Sequence, residues 1–365
     1  MKRLMRNVLV TGGAGFIGSN FVHTLLEIDQ QLRVINLDAL TYAGSLENLK
    51  DLPDPSRHTF VEGDIRDRPL VEGLLREHQV DTVVHFAAES HVDRSIAGPS
   101  PFVETNIVGT FSMLEAARKV WLEEALLQPE MVRFHHISTD EVYGSLTLGE
   151  PAFSETTAYA PNSPYAASKA ASDHLVRSYG HTYGLPISIT NCSNNYGPYQ
   201  FPEKLIPLML MNAIRGRPLP IYGDGAQIRD WLYVRDHCEA ILQVLLRGES
   251  GSTYNIGGGN QPTNLEVVHT LCGILDERLP DSDYAPHAGL ITYVKDRPGH
   301  DRRYAMDTRK LHSELGWSPR ETLASGLKKT VNWYLEHADW LAAIQGRPGY
   351  AQWMRQNYEA REEAQ

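Results

Sequence analysis

Two short runs carry residue types that could do chemistry together: Ser138-Thr139-Asp140-Glu141-Val142-Tyr143-Gly144 and, further along, Tyr165-Ala166-Ala167-Ser168-Lys169. A Tyr and a Lys four positions apart share one face of a helix, so the ammonium can lower the phenol's pKa and ready it to accept a proton. That suits oxidation of an alcohol. Asp140 and Glu141 add an acid and a base that hydride transfer alone would not need, and neighbouring like charges push their pKa values apart, which splits the two tasks between them. The set Thr139, Asp140, Glu141, Tyr165 and Lys169 therefore predicts an oxidation accompanied by an elimination.

These residues need a scaffold to bring them together. Val132 to Ile137 reads as an apolar strand that delivers Ser138 to Glu141 to its C-terminal edge, and Asn162-Ser163-Pro164-Tyr165 opens the helix that carries Lys169. Upstream, the short apolar strand Asn7-Val8-Leu9-Val10-Thr11 runs into Gly12-Gly13-Ala14-Gly15-Phe16-Ile17-Gly18 and then a helical pattern through Leu26. Strand, glycine turn and helix in that order make a dinucleotide site, because the glycines permit a tight turn and close approach of a pyrophosphate to the helix N-terminus. Gly12, Gly15, Phe16, Ile17 and Gly18 are the expected contacts. A second strand, Arg33 to Leu37, ends in Asp38, twenty residues past Gly18. A carboxylate there accepts from ribose hydroxyls and repels a 2′-phosphate, favouring NAD over NADP.

Further strands run from Thr59 to Glu62, ending in Gly63-Asp64-Ile65, and from Thr82 to Phe86, ending in Ala87-Ala88-Glu89-Ser90. Asp64 reads either as a helix cap or as a contact for the adenine end of the cofactor, with its place in the strand series favouring the contact; Ile65 and Ala87 join it. Strands alternating with helical stretches, such as Phe102 to Ala125, predict an α/β fold: a Rossmann-like doubly wound parallel sheet with a smaller α/β substrate-binding domain. Tyr233 to Leu246 reads as an amphipathic helix that returns to the first lobe. The expected domains are therefore 1–193 plus about 230–257 for NAD, and about 194–229 plus 258–365 for the substrate. Asn255-Ile256-Gly257-Gly258-Gly259-Asn260 is read as a turn between lobes, not a second phosphate loop.

The second half is rich in Pro, Tyr and Arg from Tyr196 onward, and such loops over a rigid sheet usually set ligand specificity. Lys204, Arg229 and Arg297 read either as surface salt bridges or as the cations near a diphosphate, since guanidinium forks match phosphate oxygens. With 45 acidic and 34 basic residues the net charge is −11, which argues against nucleic acid or anionic membrane as a partner. The chain lacks eighteen consecutive apolar residues, and only Val8-Leu9-Val10 follows the basic start, which predicts neither a membrane span nor a signal peptide. Three scattered cysteines, Cys192, Cys238 and Cys272, fit a reducing compartment, with cytoplasm the default. His85, His135 and His136 lie in apolar strands and read as satisfied core groups, so no metal is expected.

Ala87-Ala88-Glu89-Ser90-His91-Val92-Asp93-Arg94-Ser95, Ser138 to Gly144, Thr190 to Tyr199, Gln227 to Val234 and Asp296 to Tyr304, in this order along the chain, resemble the extended short-chain dehydrogenase/reductase family. Within it the match narrows to enzymes that remove water from nucleotide sugars, because the Asp-Glu after Thr139 differs from what sugar-nucleotide 4-epimerases carry there. The resemblance implies NAD as cofactor and dTDP-glucose as substrate. Tyr165 would take the C4 hydroxyl proton, Thr139 would hydrogen-bond that hydroxyl, and Lys169 would bind the nicotinamide ribose. Glu141 would remove the C5 proton while protonated Asp140 donates to the departing C6 hydroxyl. Ser90, Asn194, Tyr222, Asn264, His300 and Tyr358 would meet the nucleotide sugar, with Asn195 nearer the nicotinamide.

The helices from Phe102 and from Pro164 resemble those that pair across the family's homodimer. Trp333, Trp340 and Trp353 mark C-terminal helices at Glu321 to His337 and Tyr350 to Glu362. Two other readings use the same residues: a nucleotide-sugar 4-epimerase, which leaves Asp140 and Glu141 without a task, and an NAD-binding regulator, which needs no Thr139, Tyr165 and Lys169 relay. Thymidine enters through the resemblance alone, since no residue here distinguishes it from uridine.

Overall fold

The computed structural model describes residues 3–296, 299–347 and 350. Strands are β1 (Asn7–Thr11), β2 (Arg33–Asp38), β3 (His58–Glu62), β4 (Thr82–His85), β5 (Arg133–Thr139), β6 (Ile187–Cys192), β7 (Asn194–Tyr196), β8 (Leu219–Tyr222), β9 (Trp231–Tyr233), β10 (Thr253–Ile256) and β11 (Ile291–Val294). Seven of them form one parallel sheet in the order β10-β6-β5-β4-β1-β2-β3. The apolar runs explain why: β4, β5 and β6 are buried along their whole length, as strands covered on both faces must be. The order reverses between β1 and β4, and at that switch point a crevice opens at the strand C-terminal ends.

One core, with Phe21, Leu25, Ile241 and Leu245, fills one face of the sheet; a second, with Met113, Leu114, Trp121 and Val176, fills the other. The helix Val234–Arg247 packs its buried side on the helix Phe16–Ile28, so the chain does return to the sheet after β9. A third core, around Met209, Leu271, Leu275 and Val331, belongs to the smaller α/β part, which holds the parallel pair β8 and β11. The turn expected after Ile256 is present, and its Gly258 amide donates to the Asp230 carboxylate at 2.9 Å. The expected helix from Phe102 starts at Ser100 and is interrupted by π-helical turns at Val103–Gly109 and Arg118–Glu123. Helices Leu323–Glu336 and Ala338–Gln345 follow, the second not separable in the sequence pattern. Trp353 and the rest of the segment expected after Tyr350 lie outside the described residues.

Two local devices fix the site's main elements. In the turn after β1, Gly12 has φ +71°, and a Cβ on Gly18 would stand 2.2 Å from the Gly12 carbonyl oxygen, so both positions require glycine. The helix Pro164–Tyr183 starts where its sequence says it should: the Ser163 side chain accepts from the Ala166 amide, Pro164 occupies the first turn, and Gly184 at φ +69° ends it.

Candidate active site

The crevice is a cavity of about 500 Å³ that runs from the glycine turn to the smaller lobe. At one end lie Gly12, Gly15, Phe16, Ile17 and Gly18, with Asp38 at the end of β2. Its carboxylate accepts from the Ala14 amide at 2.9 Å and the Leu40 amide at 2.8 Å; burial raises its pKa and these donors oppose the rise. Asp64, Ile65 and Ala87 form the facing wall. Asp64 is no helix cap: Asp67 caps the helix Arg68–Glu77 instead, while Asp64 pairs with Arg66. A positive-φ turn, a helix N-terminus without side-chain obstruction and a carboxylate at the end of β2 fit a dinucleotide.

In the middle of the cavity stand Thr139, Asp140, Glu141, Tyr165 and Lys169, brought together by the end of β5 and the first turns of the helix Pro164–Tyr183. Thr139 caps a short 3₁₀ turn, Asp140–Tyr143, accepting from the Glu141 amide. Its hydroxyl donates to Asp140 Oδ1 at 3.2 Å and lies close enough to the Tyr165 phenol to oppose the rise of its pKa. Asp140 is 2 % exposed, and its Oδ2 has no hydrogen-bond partner among the described residues. Burial, then the charges of Glu141 and Asp230, hold its carboxyl well above the usual range, against the pull of Arg229. Its surroundings therefore favour the protonated acid over the carboxylate.

Tyr165 departs from the expectation of a lowered phenol pKa. Burial and the Glu141 charge push the phenol well up, and the ammonium of Lys169 is directed elsewhere. Lys169 Nζ donates to the Ile137 carbonyl at 2.8 Å and stands 3.4 Å from His136 Nε2. Burial lowers its own pKa to about 8, with Asp173 opposing. The helical spacing brings both residues to the cavity as predicted, but burial and the Glu141 charge, not the ammonium, decide the phenol.

The far end is closed by the smaller lobe. Ser90, Asn194, Asn195, Lys204, Tyr222, Arg229, Asn264 and His300 all line the cavity, so the structure gathers these sequence-predicted contacts. Lys204 Nζ donates to the Ser90 carbonyl at 3.3 Å, which ties the lobes across the crevice. Arg229 is 5 % exposed, lies over the Tyr304 ring and donates to the Asp301 carbonyl at 2.9 Å. His300 stands T-shaped against Tyr222 and hydrogen-bonds Asp296. The buried Oδ1 atoms of Asn194 and Asn264 have no partner among the described residues, as acceptors reserved for a ligand would. Arg297 and Tyr358 lie outside the described residues.

The sequence reading missed Thr105, Glu203 and Pro220, which also line the cavity. Pro220 shares β8 with Tyr222 at a spacing of two, a signal that alternation could have supplied. Thr105 sits inside a π-helical turn and only tertiary packing brings it there. Glu203, 2 % exposed, accepts from Arg94 at 2.9 Å, a buried pair that sequence alone does not reveal. The strand histidines are core groups as expected: His85 meets Thr11 and Thr110, and His135 meets Ser188 and Thr190.

Comparison with known proteins agrees with this geometry. Residues 9–330 match the family model described as GDP-mannose 4,6 dehydratase. A dTDP-glucose 4,6-dehydratase of Xanthomonas campestris pv. campestris is 58% identical over 341 residues, covering 93% of this chain and 96% of that protein. Among solved structures, dTDP-glucose 4,6-dehydratase of Streptomyces venezuelae, with NAD bound, superposes with a TM-score of 0.82 at 48% identity, covering 93% of this chain and 99% of that one. A UDP-glucose 4-epimerase of Thermus thermophilus in complex with NAD has a TM-score of 0.78 at 32% identity, covering 91% and 99%. The fold is thus common to both chemistries, and identity separates them: the chain belongs to the dTDP-glucose 4,6-dehydratase family.

Proposed function

We propose that this chain converts dTDP-glucose to dTDP-4-keto-6-deoxyglucose with NAD as a resident cofactor. The observation that carries the reading is the presence of Asp140 and Glu141 in one cavity with Thr139, Tyr165 and Lys169. A hexose C5 hydrogen is not acidic until C4 is a ketone, so oxidation at C4 precedes loss of water across C5 and C6. Bound NAD takes up the C4 hydride and later returns it to C6, leaving no net redox change. The glycine turn, Asp38, Asp64, Ile65, Ala87 and Asn195 hold it, and Lys169 serves its nicotinamide ribose.

Tyr165, in its ionised phenolate form, accepts the C4 hydroxyl proton while Thr139 orients that hydroxyl. Glu141 then removes the C5 proton, and Asp140, buried and protonated, gives its proton to the leaving C6 hydroxyl. Glu141 returns its proton to C5. At that point Tyr165 holds one proton too many and Asp140 one too few. Thr139, hydrogen-bonded to Asp140 and next to the Tyr165 phenol, is the path that resets them. Lys204, Arg229 and Arg297 serve the diphosphate, and Ser90, Asn194, Tyr222, Asn264, His300 and Tyr358 the nucleotide sugar.

The proposed domains interleave in sequence: 1–193 plus about 230–257 for the cofactor, and about 194–229 plus 258–365 for the sugar nucleotide. The return of the helix Val234–Arg247 and of β10 to the large sheet supports that division. A homodimer through the helices from Phe102 and Pro164 is supported by Val103, Val108 and Phe111, apolar yet 41–46% exposed on that surface. A cytoplasmic location is supported by three buried unpaired cysteines, and no described helix is long and apolar enough to cross a membrane.

The test is to mix purified protein with dTDP-glucose, without added NAD, and follow product mass. A product lighter by one water, lost in Glu141→Gln while bound NAD is retained, is the expected result. An unchanged mass with a C4 epimer by NMR would instead establish the epimerase.

A further inference from the structure

Behind Lys169, on the side away from the cavity, lies a buried carboxylate that the reaction does not use. Asp173 follows Lys169 by four residues on the helix Pro164–Tyr183 and is fully buried. Its Oδ2 accepts from the Ser138 hydroxyl and the Tyr159 phenol, both at 2.8 Å, and its Oδ1 lies 3.2 Å from His136 Nε2. His136 and Ser138 alternate on β5, so they share a sheet face; His136 stands between Asp173 and Lys169 Nζ, 3.4 Å from the latter. On the outer side, Arg177 donates to the Tyr159 phenol at 2.8 Å. A buried ammonium persists only where an opposite charge compensates its lost hydration.

We propose that Asp173 is a positioning residue for the oxidation step, holding Lys169 charged and in place in the cavity it shares with Tyr165. The inference rests on the dehydratase reading for the step it serves. Around the ammonium stand Asp173 from its own helix, His136 from β5, His85 from β4 and Cys192 from β6. His136 is kept neutral by burial and by Lys169, which lower its pKa to about 4, so Asp173 supplies the compensating negative charge. Asp173 itself is held below the usual carboxylate range: burial opposes ionisation, but the His136 and Ser138 hydrogen bonds and the Lys169 charge prevail.

The sign of the consequence follows. An opposite charge raises a lysine pKa, so removing it makes Lys169 lose its proton at lower pH, and the alkaline limb of the kcat profile moves toward acid by roughly one unit or more. The experiment compares wild type, Asp173→Asn and Asp173→Glu in kcat against pH. It also follows Lys169 directly by NMR of ¹³Cε-lysine protein, its resonance assigned with Lys169→Arg. Expected are an acid shift of both the limb and the resonance in Asp173→Asn, and restoration toward wild type in Asp173→Glu. Activity that falls with neither midpoint moving would overturn the proposal, leaving Asp173 a packing residue. If Asp173→Asn does not fold, the double variant Lys169→Met/Asp173→Asn is expected to fold, since the charge to be compensated is gone; its failure would overturn the proposal equally. Absence of dTDP-glucose turnover in wild type would defeat the functional reading alone, because the lysine titration decides the inference without turnover.

Discussion

Asp140→Asn separates the two halves of the reaction. The carboxyl is buried, its protonated form favoured by desolvation and the Glu141 charge, and held by one hydrogen bond, from the Thr139 hydroxyl to Oδ1 at 3.2 Å. Asn keeps that acceptor and the shape of the protonated acid, but has no proton to give. Removal of a positioned general acid slows its step by about 10² to 10⁴, or roughly 3 to 5 kcal/mol of barrier. Only elimination needs this acid. Oxidation by Tyr165 and bound NAD proceeds, so the variant mixed with dTDP-glucose should accumulate reduced-nicotinamide absorbance and a 4-keto hexose, with little product lighter by a water. Stability moves the other way. Asp140 has a folded pKa above its unfolded value, so the wild type binds the proton more tightly when folded and loses stability as pH rises from the unfolded pKa toward the folded one. Each unit of that difference corresponds to about 1.4 kcal/mol, which Asn recovers, and chemical denaturation at neutral pH should find the variant more stable than wild type. Water loss at the wild-type rate would refute the assignment of Asp140 as the acid, as would loss of oxidation together with elimination.

Three further outcomes are expected. Asp38→Asn removes a charged acceptor for the ribose, so NAD should bind about tenfold to a hundredfold more weakly and be lost on gel filtration, while NADP becomes tolerated. Ser163→Ala deletes the side-chain acceptor for the Ala166 amide, 3.0 Å away, and should cost about 1 kcal/mol in a urea titration with the substrate KM nearly unchanged. Phe111→Glu places a charge on the exposed apolar surface of the helical segment from Ser100; light scattering should find the wild type dimeric, as proposed, and the variant monomeric.

The large sheet was legible because its strands are buried on both faces and therefore read as unbroken apolar runs, with glycine and cap residues marking where helices begin. The same logic found the cofactor wall, since Asp38, Asp64 and Ala87 each follow a strand end. Where that logic stops, the reading stops. Thr105 reaches the cavity from within a helix whose sequence gives no sign of an inward turn, and Glu203 is buried only because Arg94, distant in sequence, meets it. The Tyr165 phenol went astray for a related reason: helical spacing specifies which residues share a face, but not how much water they lose or where an ammonium points, and burial with the Glu141 charge sets the phenol.

The same distinction explains how two adjacent carboxyls take opposite roles. Asp140 and Glu141 are chemically alike and side by side in a 3₁₀ turn, so the sequence gives a pair without an order. The fold supplies the order by depth. Asp140 is sealed at 2 % exposure, near the charges of Glu141 and Asp230, and burial raises Asp230 to about 7 although backbone amides serve it. Glu141, the next residue along the turn, is only partly buried. A proton on the pair therefore resides on the deeper member, which leaves the shallower one free to act as base. An exchange of the two, Asp140→Glu/Glu141→Asp, keeps composition and net charge but not reach into these environments. Oxidation at C4 should survive it and water loss should fall by at least about 10²; wild-type dehydration by the exchanged protein would show that depth does not assign the roles.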